Sequence, residues 1–250
     1  MAVKARRTPR RTDALSKQRI VEAATEILDT DGENALTFRA LTSRLTTGYG
    51  AIYHHVATKS ELLAAATDDV IAAVMAEVVT SGEPLEALRT LALGLFDAID
   101  GHPWVGAQLS REPWRPALLD IYESLGEQLQ AFGVPERVLF DAAAALVNYV
   151  LGVAGQNAAN ARILASNEAD RSAFLAAVAA QWAQLDPVTY PFVHRAATQL
   201  REHDDREQFL AGVDLFLAGI TTIRQTTGDR PLDGNGQGSH DSNPPSRRSR

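Results

Sequence analysis

Between Leu36 and Leu63 the chain reads LTFRALTSRLTTGYGAIYHHVATKSELL, and its most suggestive side chains lie there. Thr37 and Thr47 carry hydroxyls, and Arg39 and Lys59 carry cations. Tyr49 and Tyr53 carry phenols four residues apart, and His54-His55 is an adjacent imidazole pair. Gly48 and Gly50 flank Tyr49 and keep bulk away from it. Such groups hydrogen-bond to phosphate oxygens and base edges. The histidine pair could also be read as a metal site, but neighbouring residues diverge on a helix. Arg6, Arg7, Arg10 and Arg11 precede this stretch. They would track phosphates or enter a minor groove, or serve only as a solubilising tail.

The elements that must position these groups read as helices. Ser16 is a good N-cap, and Ile20, Ala23, Ala24, Ile27 and Leu28 follow as one apolar stripe that ends at Gly32. A second helix opens at Thr37, with Phe38, Leu41 and Leu45 on one face. Thr46-Thr47-Gly48 breaks it, and a short third helix runs through Ile52 and Val56. Thr58 and Glu61 form a capping box for a fourth. A bracing helix, a crossing helix and a short reading helix are what a helix-turn-helix unit needs.

Further helices are punctuated by Pro and Gly. They are expected over about 84–100, 116–132, 135 to past 160, 171–185, 191–202 and 204–226. Alternation is too brief for a strand. The fold class is all-α. Residues 1–14 read as a disordered basic arm, 15–62 as the helix-turn-helix domain, 63–227 as a helical body and 228–250 as a disordered tail.

Charge divides along the same lines. Residues 1–60 carry ten Lys/Arg and six acids, whereas 61–227 carry ten basic and 22 acidic residues. Only the basic end suits a polyanion. Zero Cys excludes a disulfide scaffold, thiolate zinc sites and a Cys nucleophile, and fits a reducing cytoplasm. The basic N-terminus has no apolar run after it, unlike a signal peptide. The uncharged run Ala142–Ala161 holds Asn148, Gln156, Asn157 and Asn160, so it is expected to be a buried helix, not a membrane span. There is no P-loop, G-x-S-x-G, H-E-x-x-H or G-x-G-x-x-G motif, so an enzyme is not expected, nor is a cofactor or metal.

Leu36-Thr37, Leu41, Leu45, Gly50-Ala51, Ile52-Tyr53, His55, Lys59 and Glu61-Leu62-Leu63 together resemble the DNA-binding domain of TetR-family transcriptional repressors. The closing stretch Phe209–Ile220 resembles, less closely, the last helix of the tetracycline-repressor branch. The family favours Ala and Gly where this chain has Thr42 and Thr46, and a β-branched apolar residue at Thr47. Those differences bear on which operator is read.

The resemblance implies roles. Thr37 would cap the second helix and meet a phosphate, and Arg39 would reach a phosphate or a guanine. Tyr49 would sit at a base-reading position, and Tyr53 and Lys59 would clamp phosphates. Tyr53 could instead be core. His54 would point to the groove and His55 to the backbone or to the domain's own packing.

Double-stranded DNA with paired half-sites calls for a homodimer. Its face is expected from Ala145, Tyr149, Phe209, Val213, Phe216, Leu217 and Ile220, on two helices that would form a four-helix bundle with their copies. Packing within one chain is the alternative. A pocket for a small-molecule effector is implied, with Phe96, His102, Trp104, Gln108, Trp114, Tyr122, Asn148, Tyr149, Gln156 and Asn157 as candidates. The expected protein is a ligand-responsive repressor, bound to a palindromic operator and released by its effector. Alternatives are a co-repressor-type regulator that needs its ligand, or a helical interaction module.

Overall fold

A computed structural model describes residues 15–78, 82–111, 113–166 and 170–228. The basic arm and the C-terminal tail expected from the sequence lie outside these, apart from Gly228, which closes the last helix. The described residues form eleven α-helices and one 3-10 turn, with no strand among them.

Three helices make an N-terminal head: α1 (Lys17–Asp31), α2 (Phe38–Leu45) and α3 (Tyr49–Tyr53). The first two starts have a local cause. Ser16 Oγ accepts from the Arg19 amide at 3.2 Å, and Thr37 Oγ1 accepts from the Ala40 amide at 3.1 Å. Gly32, at φ 79°, ends α1 in a backbone region that suits glycine. A 3-10 turn, Glu33–Ala35, follows. Ile20, Ala24, Leu36, Leu41, Ile52 and Val56 close the core of the head.

α4 (Lys59–Val78) leaves the head and enters the body. Thr58 Oγ1 accepts from the Glu61 amide at 3.1 Å, and the Glu61 carboxylate accepts from the Ala57 amide at 2.9 Å, so the expected capping box forms one residue wider. Leu62 and Leu63 pack in the head, and Ile71, Val74 and Val78 in the body. One apolar core therefore runs through both.

The body comprises α5 (Pro84–Gly101), α6 (Pro103–Arg111), α7 (Pro116–Ala131), α8 (Glu136–Ser166), α9 (Arg171–Ala183), α10 (Pro191–Leu200) and α11 (Asp205–Gly228). α5 is central and touches α4, α6, α7, α8 and α11. It lies close on α4 at Gly94, where a Cβ would meet Val74 Cγ1 at 2.7 Å. α9 and α10 pack chiefly on each other. α6 was not expected. Pro103 reads as a stop for α5, yet proline at the first helical position also starts helices, and here it does.

α8 is long and apolar enough over Glu136–Ala161 to cross a membrane by composition. It is instead two-sided. Ala143, Leu146, Val147, Val150, Ala154 and Ala158 are buried in the core. Ala145, Asn148, Gly152 and Gln156 are exposed, so only one face of this helix is buried, contrary to the expectation.

Candidate nucleic-acid interface

α2 and α3 meet through the turn Thr46–Gly48, where Thr46 caps α2 in the left-handed region at φ 49°. Ile52 is fully buried and anchors α3, so the residues around it face outward. Tyr49 is 49% and Tyr53 51% exposed. Their rings lie 6.5 Å apart, and Tyr53 stacks on Phe38 at 4.5 Å between centroids. Tyr53 is thus held by an aromatic neighbour without being core. Thr37, Arg39, Gly48, Gly50 and His54 are exposed on the same unit, and Thr47 and His55 are half-buried. A Cβ at Gly48 or Gly50 would meet nothing within 4 Å. These glycines are not demanded by internal packing; they leave open space beside Tyr49. His54 and His55 meet edge to face at 5.3 Å. Among the described residues, no group of three or more His, Asp or Glu is placed to hold a metal ion.

Lys59 is engaged within the chain. It is half-buried, and its Nζ donates to the Glu33 carbonyl oxygen at 2.5 Å, tying the start of α4 to the turn after α1. Arg6, Arg7, Arg10 and Arg11 lie outside the described residues. The face that remains is one of hydroxyl, guanidinium, imidazole and aromatic groups around a short helix, a surface suited to phosphate and base edges.

Comparison with known proteins decides the family. Residues 20–66 match the description "Bacterial regulatory proteins, tetR family", and residues 81–224 match "Tetracyclin repressor-like, C-terminal domain". The chain belongs to the TetR family. It is similar to the solved structure of SCO7222, a TetR transcriptional regulator from Streptomyces coelicolor. The identity is 52%, with 84% of this chain and 99% of that one covered at a TM-score of 0.77. It shares its fold with apo ActR from the same organism, at 21% identity, TM-score 0.69 and coverage of 86% and 98%. A curated HTH-type transcriptional regulator from Saccharopolyspora erythraea is 33% identical over 139 residues, 55% of this chain and 59% of that protein. The HTH-type transcriptional repressor DrrR1 of Streptomyces coeruleorubidus is 31% identical over 145 residues, 56% of this chain and 53% of that protein. The chain spans little more than half the length of these curated relatives.

The TetR body presents two further features. The first is an apolar groove of about 460 Å³ between α8 and α11. Ala142 and Ala145 form one wall and Leu215, Phe216, Gly219 and Ile223 the other. Leu215 is 75% exposed. Of the expected dimer residues, Ala145, Phe216 and Ile220 line this groove. Phe209, Val213 and Leu217 do not: they are buried in the chain's own core. Phe209 stacks on Phe96 at 4.5 Å and on Tyr149 at 5.5 Å. Tyr149 is turned inward too. Its hydroxyl donates to the Phe209 carbonyl at 3.0 Å, and it occupies the notch at Gly212, where any Cβ would collide with it. Burial pushes the Tyr149 phenol above its usual range.

The second is a cavity of about 500 Å³ where the ends of α5 and α8 meet the starts of α9 and α11. Phe96, Asp97, Asp100, Asn157, Asn160, Arg171, Asp204, Asp205 and Arg206 line it. Arg206 grips Asp97 through two bonds of 3.0 Å, which raises the arginine further above its usual value. Arg171 lies 2.7 Å from Asp205, and His203 Nε2 lies 3.1 Å from the same carboxylate. The Asp204 carboxyl, hydrogen-bonded by the Glu207 amide, sits below the usual range.

Of the ten pocket candidates, only Phe96 and Asn157 line this cavity. Asn148 and Gln156 face outward on α8. Tyr122 stacks on Phe140 at 6.5 Å, and Phe140 is itself exposed. Trp114 is 70% exposed in the α6–α7 turn. His102, Trp104 and Gln108 turn toward the head instead. The ion-paired lining was missed because its members come from four elements and no sequence spacing relates them.

Proposed function

We propose that this TetR-family regulator is a repressor that binds a palindromic operator as a homodimer and leaves it when a small molecule occupies the body. The observation that carries this reading is the pairing of two unmatched faces. The α3 face leaves its hydrogen-bonding groups in solvent, and the α8–α11 groove leaves large apolar groups there. A second copy laid groove to groove buries Leu215 and Ile223 and closes a four-helix bundle. It also places two α3 helices to read half-sites about one DNA turn, roughly 34–36 Å, apart. Repression follows the naming of DrrR1. A regulator acting on DNA in this way would work in the cytoplasm.

The effector site is the cavity at Phe96, Asp97, Asp100 and Asn157. ActR of Streptomyces coelicolor has been crystallised with actinorhodin, which supports a ligand in a body of this fold. Effector and DNA would be reciprocally coupled through the separation of the two heads.

The test is selection of bound sequences from a random duplex pool at about 0.15 M salt. An enriched palindrome with half-sites one turn apart is expected. Retention without an enriched sequence, lost as salt rises, would overturn the operator reading. With that operator in hand, a ligand that strengthens the complex instead of releasing it would mark a co-repressor.

A further inference from the structure

The head and body meet at a second place besides α4, and there the bonding is polar and directional. His102 Nδ1 lies 2.8 Å from Asp29 Oδ1, and the Trp104 indole N–H donates to the same oxygen at 2.8 Å. One turn on, Gln108 Nε2 donates to Glu33 Oε2 at 3.2 Å. Arg111 Nη1 lies 2.9 and 3.0 Å from the two Glu33 oxygens. Trp104, Gln108 and Arg111 fall at i, i+4 and i+7, so they share one face of α6. Asp29 and Glu33 fall at i and i+4, at the end of α1 and the turn beyond it.

Donors stand on the body and acceptors on the head. Trp104 is 5% and Gln108 2% exposed, so their polar atoms have little recourse to water if the bonds break. The Glu33 carbonyl, meanwhile, receives Lys59 Nζ from the start of α4. One residue therefore gathers α1, α4 and α6.

We infer that Asp29 and Glu33 are positioning residues that fix the angle of the head on the body, and so the spacing of the two reading helices. The inference rests on the reading of the head as DNA-binding. The physical argument is one of degrees of freedom. α4 alone would let the head swing about that helix. Contacts to α6 at two points a helical turn apart remove the swing, because a hydrogen bond weakens steeply with misalignment. The position also suits transmission. His102 caps α5 one residue after that helix ends, and α5 contributes Phe96, Asp97 and Asp100 to the cavity. A ligand that displaces Asp100 pulls on the residue that holds Asp29.

The test uses the full chain, which contains no cysteine and so takes labels cleanly. Nitroxides at Glu22→Cys on α1 and Glu127→Cys on α7 report the head-to-body distance by pulsed electron resonance. Excess unlabelled chain suppresses contacts between copies. The wild-type background should give one narrow distribution. Asp29→Asn with Glu33→Gln, near-isosteric changes that remove the charge from both acceptors, should broaden it, with a modest fall in melting temperature as the bonds to buried Trp104 and Gln108 weaken. Gln108→Ala with Arg111→Ala attacks the same contacts from the body and should broaden it too.

The second readout is discrimination between the selected operator and one with a single base pair added between half-sites. It should fall about tenfold in either double variant, the scale of coupling between contacting groups. A distribution that stays narrow in both variants overturns the inference. So does a broadened one with discrimination intact. Wild-type protein that selects no paired half-sites would instead overturn the DNA reading, and the distances would still decide the latch.

Discussion

Tyr49 and Trp104 are both large aromatics with one polar atom, and the molecule uses them in opposite ways. Tyr49 is 49% exposed beside two glycines at which an added Cβ would meet nothing within 4 Å. Trp104 is 5% exposed with its indole N–H bonded to Asp29. The same contrast holds for their surroundings. On the α2–α3 face, Arg39 and His54 stand in solvent. On the α1–α6 seam, Gln108 and Arg111 are bound to Glu33. A polar group whose bonding is satisfied inside the chain sets geometry. One left in solvent is available to a partner. Residue type alone does not separate the two; the fold does.

The largest effect is expected where an unmatched face is apolar. Leu215→Glu with Ile223→Glu puts two carboxylates into the α8–α11 groove. Sedimentation should show a monomer, and operator affinity should fall by about 10²–10⁴-fold, because the second half-site no longer binds within one molecule. Both side chains are already exposed, so the melting temperature of the isolated chain should barely move. A dimer that survives the pair of charges would place the interface elsewhere.

Tyr49→Ala tests the reading face more locally. A base contact contributes about 1–3 kcal/mol of discrimination, so base preference should relax at one position of each half-site. Tyr53→Phe should weaken all sequences alike, since a phosphate contact carries no sequence information. If repeated selection with the Tyr49 variant returns the wild-type operator, Tyr49 is not a reader.

The sequence disclosed most where the signal was local. Ser16, Thr37 and Thr58 mark helix starts through hydroxyls that bond three residues ahead, and the structure has all three bonds. Ile52 stands out as an anchor because its neighbours are polar or small. What was illegible depended on partners far along the chain. His102 and Trp104 looked like pocket residues, but their acceptor lies more than seventy residues earlier. Phe209 and Val213 looked like dimer contacts because α11 is apolar on more than one side. Periodicity shows that such a helix needs two covers, not which side turns to its own core. Leu215, beside Asp214 and outside the main stripe, is the residue left open to a partner.

The smallest effect concerns the turn between α2 and α3. Thr46 adopts the left-handed conformation at φ 49°, where a β-branched residue pays about 1–2 kcal/mol in steric conflict. Glycine there would remove that conflict, but would lose about 0.5–1 kcal/mol through the greater freedom of the unfolded chain. The steric term is the larger, so Thr46→Gly should stabilise the protein by up to about 1 kcal/mol in denaturant titration. Thr46 is exposed, and its backbone amide donates to the Ser43 and Thr42 carbonyls. Operator affinity and base preference should therefore hold while stability rises. A gain in stability with a loss of affinity would show that the threonine is kept for DNA. A loss of stability would mean that its side chain contributes more to the α2–α3 turn than the strained backbone costs.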